Sequence, residues 1–171
     1  MKADTEDIII DGSKTIIDIR NELPKQPNRS FRRRKLDSIT GIVVHHSASP
    51  KGMHTPFDFA RWHMNGSMKA PGICYHIAIS GKEIYWTSDF ENIVWHSGNV
   101  NGFTIGVEID GNYEIETPDE DSLASLRWVI GYIENFLGRT LTVEGHQKYM
   151  ATACPGKNLI ALKDKWKFKN K

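Results

Sequence analysis

The sequence predicts an α/β fold, a mixed central β-sheet with helices on both faces in a single domain. Three observations predict it. Short β-branched runs of strand length recur at "IVVHH", "CYHIAIS" and "TIGVEID". Two capped helical patterns, opening at Thr55 and Thr117, alternate with those runs. The chain has 171 residues, a length that suits one hydrophobic core, since single domains usually run to about 100–150 residues.

Taken in order, the first element is "KTIIDI", a strand-like piece. Residues 25–37, "KQPNRSFRRRKLD", then concentrate six basic residues among Pro and Asn. That composition predicts a solvated connector rather than a binding patch, and with it an N-terminal extension over 1–37 ahead of a main domain over 38–171. "TGIVVHHSA" (40–48) is an apolar β-branched run ending in two histidines, the pattern of a strand buried on both faces. "TPFDFARWHMNG" (55–66) is a helix, with Thr55 as N-cap, Pro56 first and Gly66 as the stop.

"CYHIAIS" (74–80) and "EIYWTS" (83–88) read as a hairpin turning at Gly81 and Lys82. "TIGVEID" (104–110) alternates Ile105, Val107 and Ile109 with Gly106, Glu108 and Asp110, which predicts one apolar face and one carrying Glu108. The second helix opens at Thr117 with Pro118 next and Glu120 closing a capping box, and ends at Gly138. Leu123, Leu126, Ile130, Ile133 and Leu137 form its core stripe. "TVEGH" (142–146) is a short strand ending on His146, and "NLIALKDKW" a last helix. Lys163, Lys165, Lys167, Lys169 and Lys171 then alternate with Trp166 and Phe168, as in a solvated tail with two anchoring aromatics.

Composition narrows the function classes. Hydrophobic content is 39%, charged content 25% and net charge +1, so bulk charge gives no reason to expect a nucleic-acid partner. No apolar run approaches the ~20 residues of a membrane span. The start, "MKADTEDIIIDGSK", lacks the basic and apolar regions of a secretory signal, so the chain is expected to be made in the cytoplasm, with later release as the alternative, and a monomer is expected. In that compartment Cys74 and Cys154 are expected as a free thiol or metal thiolate rather than a disulfide. Cys74 reads as a small buried hydrophobe, and His54, His63 and His76 as structural.

"EGHQKYMATACPG" (144–156) places His146 and Cys154 eight positions apart. The pair is weak by itself, but zinc prefers imidazole nitrogen and thiolate sulfur, and a catalytic zinc site takes three protein ligands. The strand end "VVHHS" offers the third, either His45 or His46; a strand buried on both faces does not say which.

"IVVHHSAS", "WH" at 62–63, "CYHIAI", "HSGNVNGFTIGVEIDG" and "GHQKYMATACPG" occur in the order and at about the spacing of the type 2 N-acetylmuramoyl-L-alanine amidases. The chain resembles that family, which includes phage lysozyme-type amidases and the peptidoglycan recognition proteins. The resemblance covers residues 38–165 and leaves 1–37 outside. Carried over position by position, it implies a Zn²⁺ site of His45, His146 and Cys154, with His46 at a variable position. Two neutral imidazoles and one thiolate leave such a site at net +1, able to lower the pKa of a bound water toward ~7 and to polarise an amide carbonyl. The implied substrate is peptidoglycan or a muropeptide, cut between the lactyl group of N-acetylmuramic acid and L-alanine; the alternative to a cytoplasmic role is release to act on the cell wall.

The resemblance also implies roles for neighbours. Tyr75 falls where phage members carry a catalytic tyrosine, and Glu108 matches a glutamate of some branches; the two compete for the role of proton acceptor. His96 and Asn101 fall on the loop bordering the substrate groove. Thr152 departs from the lysine of the phage and cytoplasmic branches, and its hydroxyl donates to an oxyanion without bringing positive charge. Rival readings are a non-catalytic peptidoglycan-binding module of the same fold, a metal-free hydrolase using Cys154 and His146, and, weakest, a zinc-supported nucleic-acid binder.

Overall fold

The computed structural model describes residues 8–10 and 14–168. Its strands are β1 (Ile8–Ile10), β2 (Lys14–Asp18), β3 (Gly41–His46), β4 (Ile77–Ser80), β5 (Glu83–Trp86), β6 (Thr104–Ile109) and β7 (Thr142–Gly145). They form one sheet in the order β1-β2-β5-β4-β6-β3-β7. β4, β6, β3 and β7 run parallel, β5 is antiparallel to β4, and β2 lies parallel to β5 with β1 antiparallel outside it.

Helices cover both faces. Successive residues of β2 and β5 divide between two apolar clusters: Ile16 and Ile84 pack with the helix α2 (Glu120–Leu137), Ile17 and Tyr85 with α1 (Pro56–Asn65). The stripe of α2, including Leu126, Ile130 and Ile133, closes over Ile42, Val44, Ile105 and Val107. On the other side Phe59 and Ala60 of α1 meet Ile19, Leu23 and Ile73. The mixed α/β sheet predicted from the sequence is the fold observed.

Where pattern and structure differ, the reason is local. α1 starts as predicted, with the Thr55 N–H and hydroxyl both donating to Asp58 at 2.9 Å. α2 begins later than Thr117: its N-cap is Asp119, which accepts the Ser122 N–H at 2.8 Å and also pairs with Lys51. A charged acceptor at 119 displaces the neutral hydroxyl at 117, and Glu120 pairs with Arg127 instead of closing a box. The strand expected from Cys74 is irregular until Ile77, and the last helix is one turn, α3 (Lys157–Ile160). β6 has no solvent-facing polar side, because all six of its residues are buried, Glu108 included.

The expected division at 37/38 is also corrected. Residues 14–37 are part of the same core: Ile16, Ile19 and Leu23 are buried, and Arg20 stacks 3.8 Å over the Trp86 ring while binding Asp18 and Asp89. Arg34, in the segment read as a solvated connector, donates to the carbonyls of Phe90 (2.9 Å), Asn101 (2.7 Å) and Thr104 (2.8 Å). Burial pushes this guanidinium down to about 10. At the other end Trp166 is buried, but Phe168 is 64% exposed, so one aromatic anchors the tail rather than two. Lys163 and Lys167 pair with Glu144 and Glu134, while Lys169 and Lys171 lie outside the described residues.

Candidate metal centre

β3 and β7 lie side by side and parallel with Val44 opposite Gly145, so His45 and His146 emerge together at the carboxyl ends of their strands. A loop returns Cys154 to the same place. It is held by the Gln147 N–H donating to the Cys154 carbonyl at 2.9 Å and by Thr152 Oγ1 accepting the Cys154 N–H at 3.2 Å. One donor atom from each of His45, His146 and Cys154 lies within 4.8 Å of the other two. His46 turns to the other face of β3, where its Nδ1 accepts the Tyr113 N–H at 3.1 Å.

The donor set fits a zinc ion. Bonds of about 2.0–2.1 Å to nitrogen and 2.3 Å to sulfur at a tetrahedral angle put the two ligand atoms about 3.6 Å apart. His45 Nδ1 and Cys154 Sγ are 3.6 Å apart. Without a cation the cluster is uncharged. Burial, reinforced by the neighbouring histidines, holds His45 well below its ordinary pKa, burial lowers His146, and burial pushes the Cys154 thiol up to about 12. A cation entering here therefore displaces the thiol proton.

The three donors open into a cavity of about 430 Å³ whose wall includes His63, Met68, Tyr75, Trp95 and Thr152. The Tyr75 ring lies 5.2 Å from His45 and 5.3 Å from His63. Burial raises its phenol well above the usual range, so Tyr75 stays protonated and has a proton to donate. Thr152 uses its oxygen to hold the Cys154 N–H and keeps its hydroxyl proton free to donate.

Three expected residues sit differently. Glu108, opposite His45 in the β3–β6 register, is 1% exposed and is absent from the cavity wall. Neither of its oxygens has a hydrogen-bond partner among the described residues. Burial, with Asp110 adding repulsion, raises this carboxyl well above its ordinary value. His96 borders the cavity but is only 6% exposed, and it directs Nδ1 to His45 Nε2 at 3.0 Å. Asn101 spends its side-chain oxygen on the N–H groups of His96 (3.1 Å) and Ser97 (2.6 Å).

The structure adds His63, Met68 and Trp95 to the cavity. His63 Nδ1 accepts the Cys74 N–H at 3.0 Å and burial lowers its pKa to about 4, which leaves its single proton on Nε2. Its position four residues after Phe59, on the buried stripe of α1, was the available signal. Met68 and Trp95 lie in irregular segments without periodicity, and nothing local marked them.

Fold and donors together define the class: a mixed α/β domain with a His-His-Cys site at the carboxyl ends of parallel strands, open to solvent on one side. The chain belongs to the N-acetylmuramoyl-L-alanine amidase family, whose profile matches residues 35–157. Among curated relatives, peptidoglycan-recognition protein LB of Drosophila melanogaster is 23% identical over 138 residues, 73% of this chain and 58% of that protein. Peptidoglycan-recognition protein SC1a of the same species is 27% identical over 101 residues, 57% of this chain and 54% of that one. The chain thus spans just over half the length of these relatives. Among solved structures, the amidase LysC from Clostridium intestinale URNW superposes with a TM-score of 0.70 at 22% identity, covering 88% of this chain and 93% of that one. A Drosophila PGRP-LB variant in complex with tracheal cytotoxin gives 0.72 at 22% identity, covering 91% and 96%.

Proposed function

We propose that the protein is a zinc-dependent N-acetylmuramoyl-L-alanine amidase that hydrolyses the amide between the lactyl group of N-acetylmuramic acid and L-alanine. One observation carries the reading: the His45, His146 and Cys154 donors are all present within 4.8 Å of one another, His45 and Cys154 at zinc-ligand spacing, and open into a cavity. When bound, the ion supplies a Lewis acid for the amide carbonyl and lowers the pKa of a water. Tyr75, protonated, donates to the oxygen on which negative charge develops, and the free proton of Thr152 offers a second donor on the same wall. Trp95 and Met68, both substantially exposed, give the substrate an apolar rim. The tracheal cytotoxin complex of PGRP-LB supports a muropeptide as ligand.

The second reading, a peptidoglycan-binding module without catalysis, draws on the recognition proteins among the relatives and on the uncharged Thr152. A metal-free cysteine hydrolase fits poorly, because burial keeps the Cys154 thiol protonated. Mass spectrometry of digests of purified sacculi and of soluble muropeptides decides between cleavage and binding. The expected result is release of peptides with a free L-alanine amino terminus, about one zinc per chain, and loss of both in Cys154→Ala. Zinc-loaded protein that binds muropeptide and releases no peptide overturns the amidase in favour of the binding module.

A further inference from the structure

His45 has two ring nitrogens with different neighbours. Nδ1 faces Cys154 Sγ at 3.6 Å, and Nε2 faces His96 Nδ1 at 3.0 Å. The far nitrogen of His96, Nε2, lies 3.2 Å from Thr104 Oγ1, whose hydroxyl reaches the Val100 carbonyl at 2.8 Å. A neutral imidazole carries one N–H and one lone pair, so a single choice of direction propagates along such a chain. Run outward, His45 Nε2–H donates to His96 Nδ1, His96 Nε2–H donates to Thr104, and the Thr104 hydroxyl donates to the carbonyl. Every donor then has an acceptor, and the His45 Nδ1 lone pair faces the sulfur. Run inward, Thr104 gives up the carbonyl, and His45 Nδ1 carries a proton that bars a metal.

We infer that His96 is a positioning residue for the metal centre: by accepting the Nε2 proton of His45, it keeps Nδ1 free as a ligand and fixes the orientation of the ring. A carbonyl only accepts, so Val100 anchors the chain in the outward direction. The assignment rests on the zinc reading above and concerns a residue that is not itself a metal ligand.

The surroundings hold His96 in this pose. Gly106 of β6 makes room for it, since a Cβ there would lie 2.8 Å from His96 Cγ. Asn101 Oδ1 accepts the His96 N–H, and Arg34 donates to the carbonyls of Asn101 and Thr104, the two ends of the segment that follows the Val100 anchor. The basic stretch "RRRK" thus contributes one half-buried residue that ties the loop behind the metal ligand.

The test compares His96→Leu, which removes the acceptor, with His96→Asn, whose amide oxygen can take the place of Nδ1. Zn²⁺ affinity is measured by competition with a chromophoric chelator at fixed pH, and the visible spectrum of the Co²⁺-loaded protein reports ligand geometry. His96→Leu is expected to weaken zinc binding by about 10–100-fold and to alter the Co²⁺ spectrum, while His96→Asn recovers most of the affinity. Thr104→Val, close in shape but lacking the hydroxyl, is expected to weaken zinc binding less than His96→Leu, and it supplies the comparison if His96→Leu does not fold. Wild-type affinity in His96→Leu, no recovery in His96→Asn, or unchanged affinity in Thr104→Val overturns the assignment. Wild-type protein that binds zinc but cleaves nothing overturns the amidase reading instead, and the affinity comparison still decides the role of His96.

Discussion

Tyr75 and Glu108 show what separates a functional polar residue from a buried one. Tyr75 lines the cavity as a protonated phenol, so Tyr75→Phe removes a donor while keeping the ring; kcat is expected to fall by roughly 10²-fold or more with zinc content unchanged. Steady-state rates and metal analysis of the variant check this. Glu108 is buried and absent from the cavity wall, so Glu108→Gln replaces it by a near-isosteric amide that the site does not feel. Its rate and pH–rate profile are expected to match the wild type. Stability gives the sign. With the folded pKa raised above the unfolded one, the native state holds the extra proton, and the metal-free wild type loses stability relative to Glu108→Gln as pH rises above about 4.3. The slope is at most about 1.4 kcal/mol per pH unit for one proton, and urea unfolding at pH 5 and pH 7 measures it. A lost acidic limb in the variant would restore Glu108 as a base. The ligand spacing was legible because His146 and Cys154 share one loop, whereas alternation along β6 told which face Glu108 occupies and not that the face is covered.

Element boundaries were legible where the side chain that caps is the one the pattern favours. At α1 it is: Thr55, Pro56 and Asp58 all sit where local chemistry wants them. At α2 the sequence "TPDED" offers two candidate caps, and the choice of Asp119 over Thr117 depends on Lys51, 68 residues away, pairing with that carboxylate. Local pattern carries no such information. Asp119→Ala is therefore expected to cost about 1 kcal/mol of stability, and Thr117→Ala close to nothing; chemical-denaturation midpoints of the two variants decide it. Equal losses would return the cap to Thr117. The hairpin of β4 and β5 was legible from Gly81, which takes φ +59° at the turn, while the irregular stretch ahead of Ile77 was not, because its apolar run is used to line the cavity rather than to extend the sheet.

At the scale of the whole molecule, the misread boundary at residue 37 has the largest consequence. Pro, Asn and clustered Arg look like a solvated linker, and nothing within residues 25–37 reveals that Arg34 finds its acceptors 56 to 70 positions further along the chain. The sheet itself needs this segment: β2 pairs with β5 from Ile16 to Asp18, covering an edge that would otherwise stand open. Ile16, Ile19 and Leu23 are each buried, and burying such a side chain contributes about 1.5–3 kcal/mol. Three of them amount to a large share of the roughly 5–15 kcal/mol by which a domain is stable. Deleting residues 1–37 would also remove Arg34 from the carbonyls of the 101–104 loop, behind the metal ligands. The truncated chain is therefore expected to show no cooperative thermal transition and no stoichiometric zinc, whereas deletion of residues 1–7 leaves β2 and its contacts in place and is expected to retain both. Circular-dichroism melts and metal analysis of the two truncations make the comparison. A cooperative melt from residues 38–171 alone would show that the core closes without β2, and would return the boundary to residue 37.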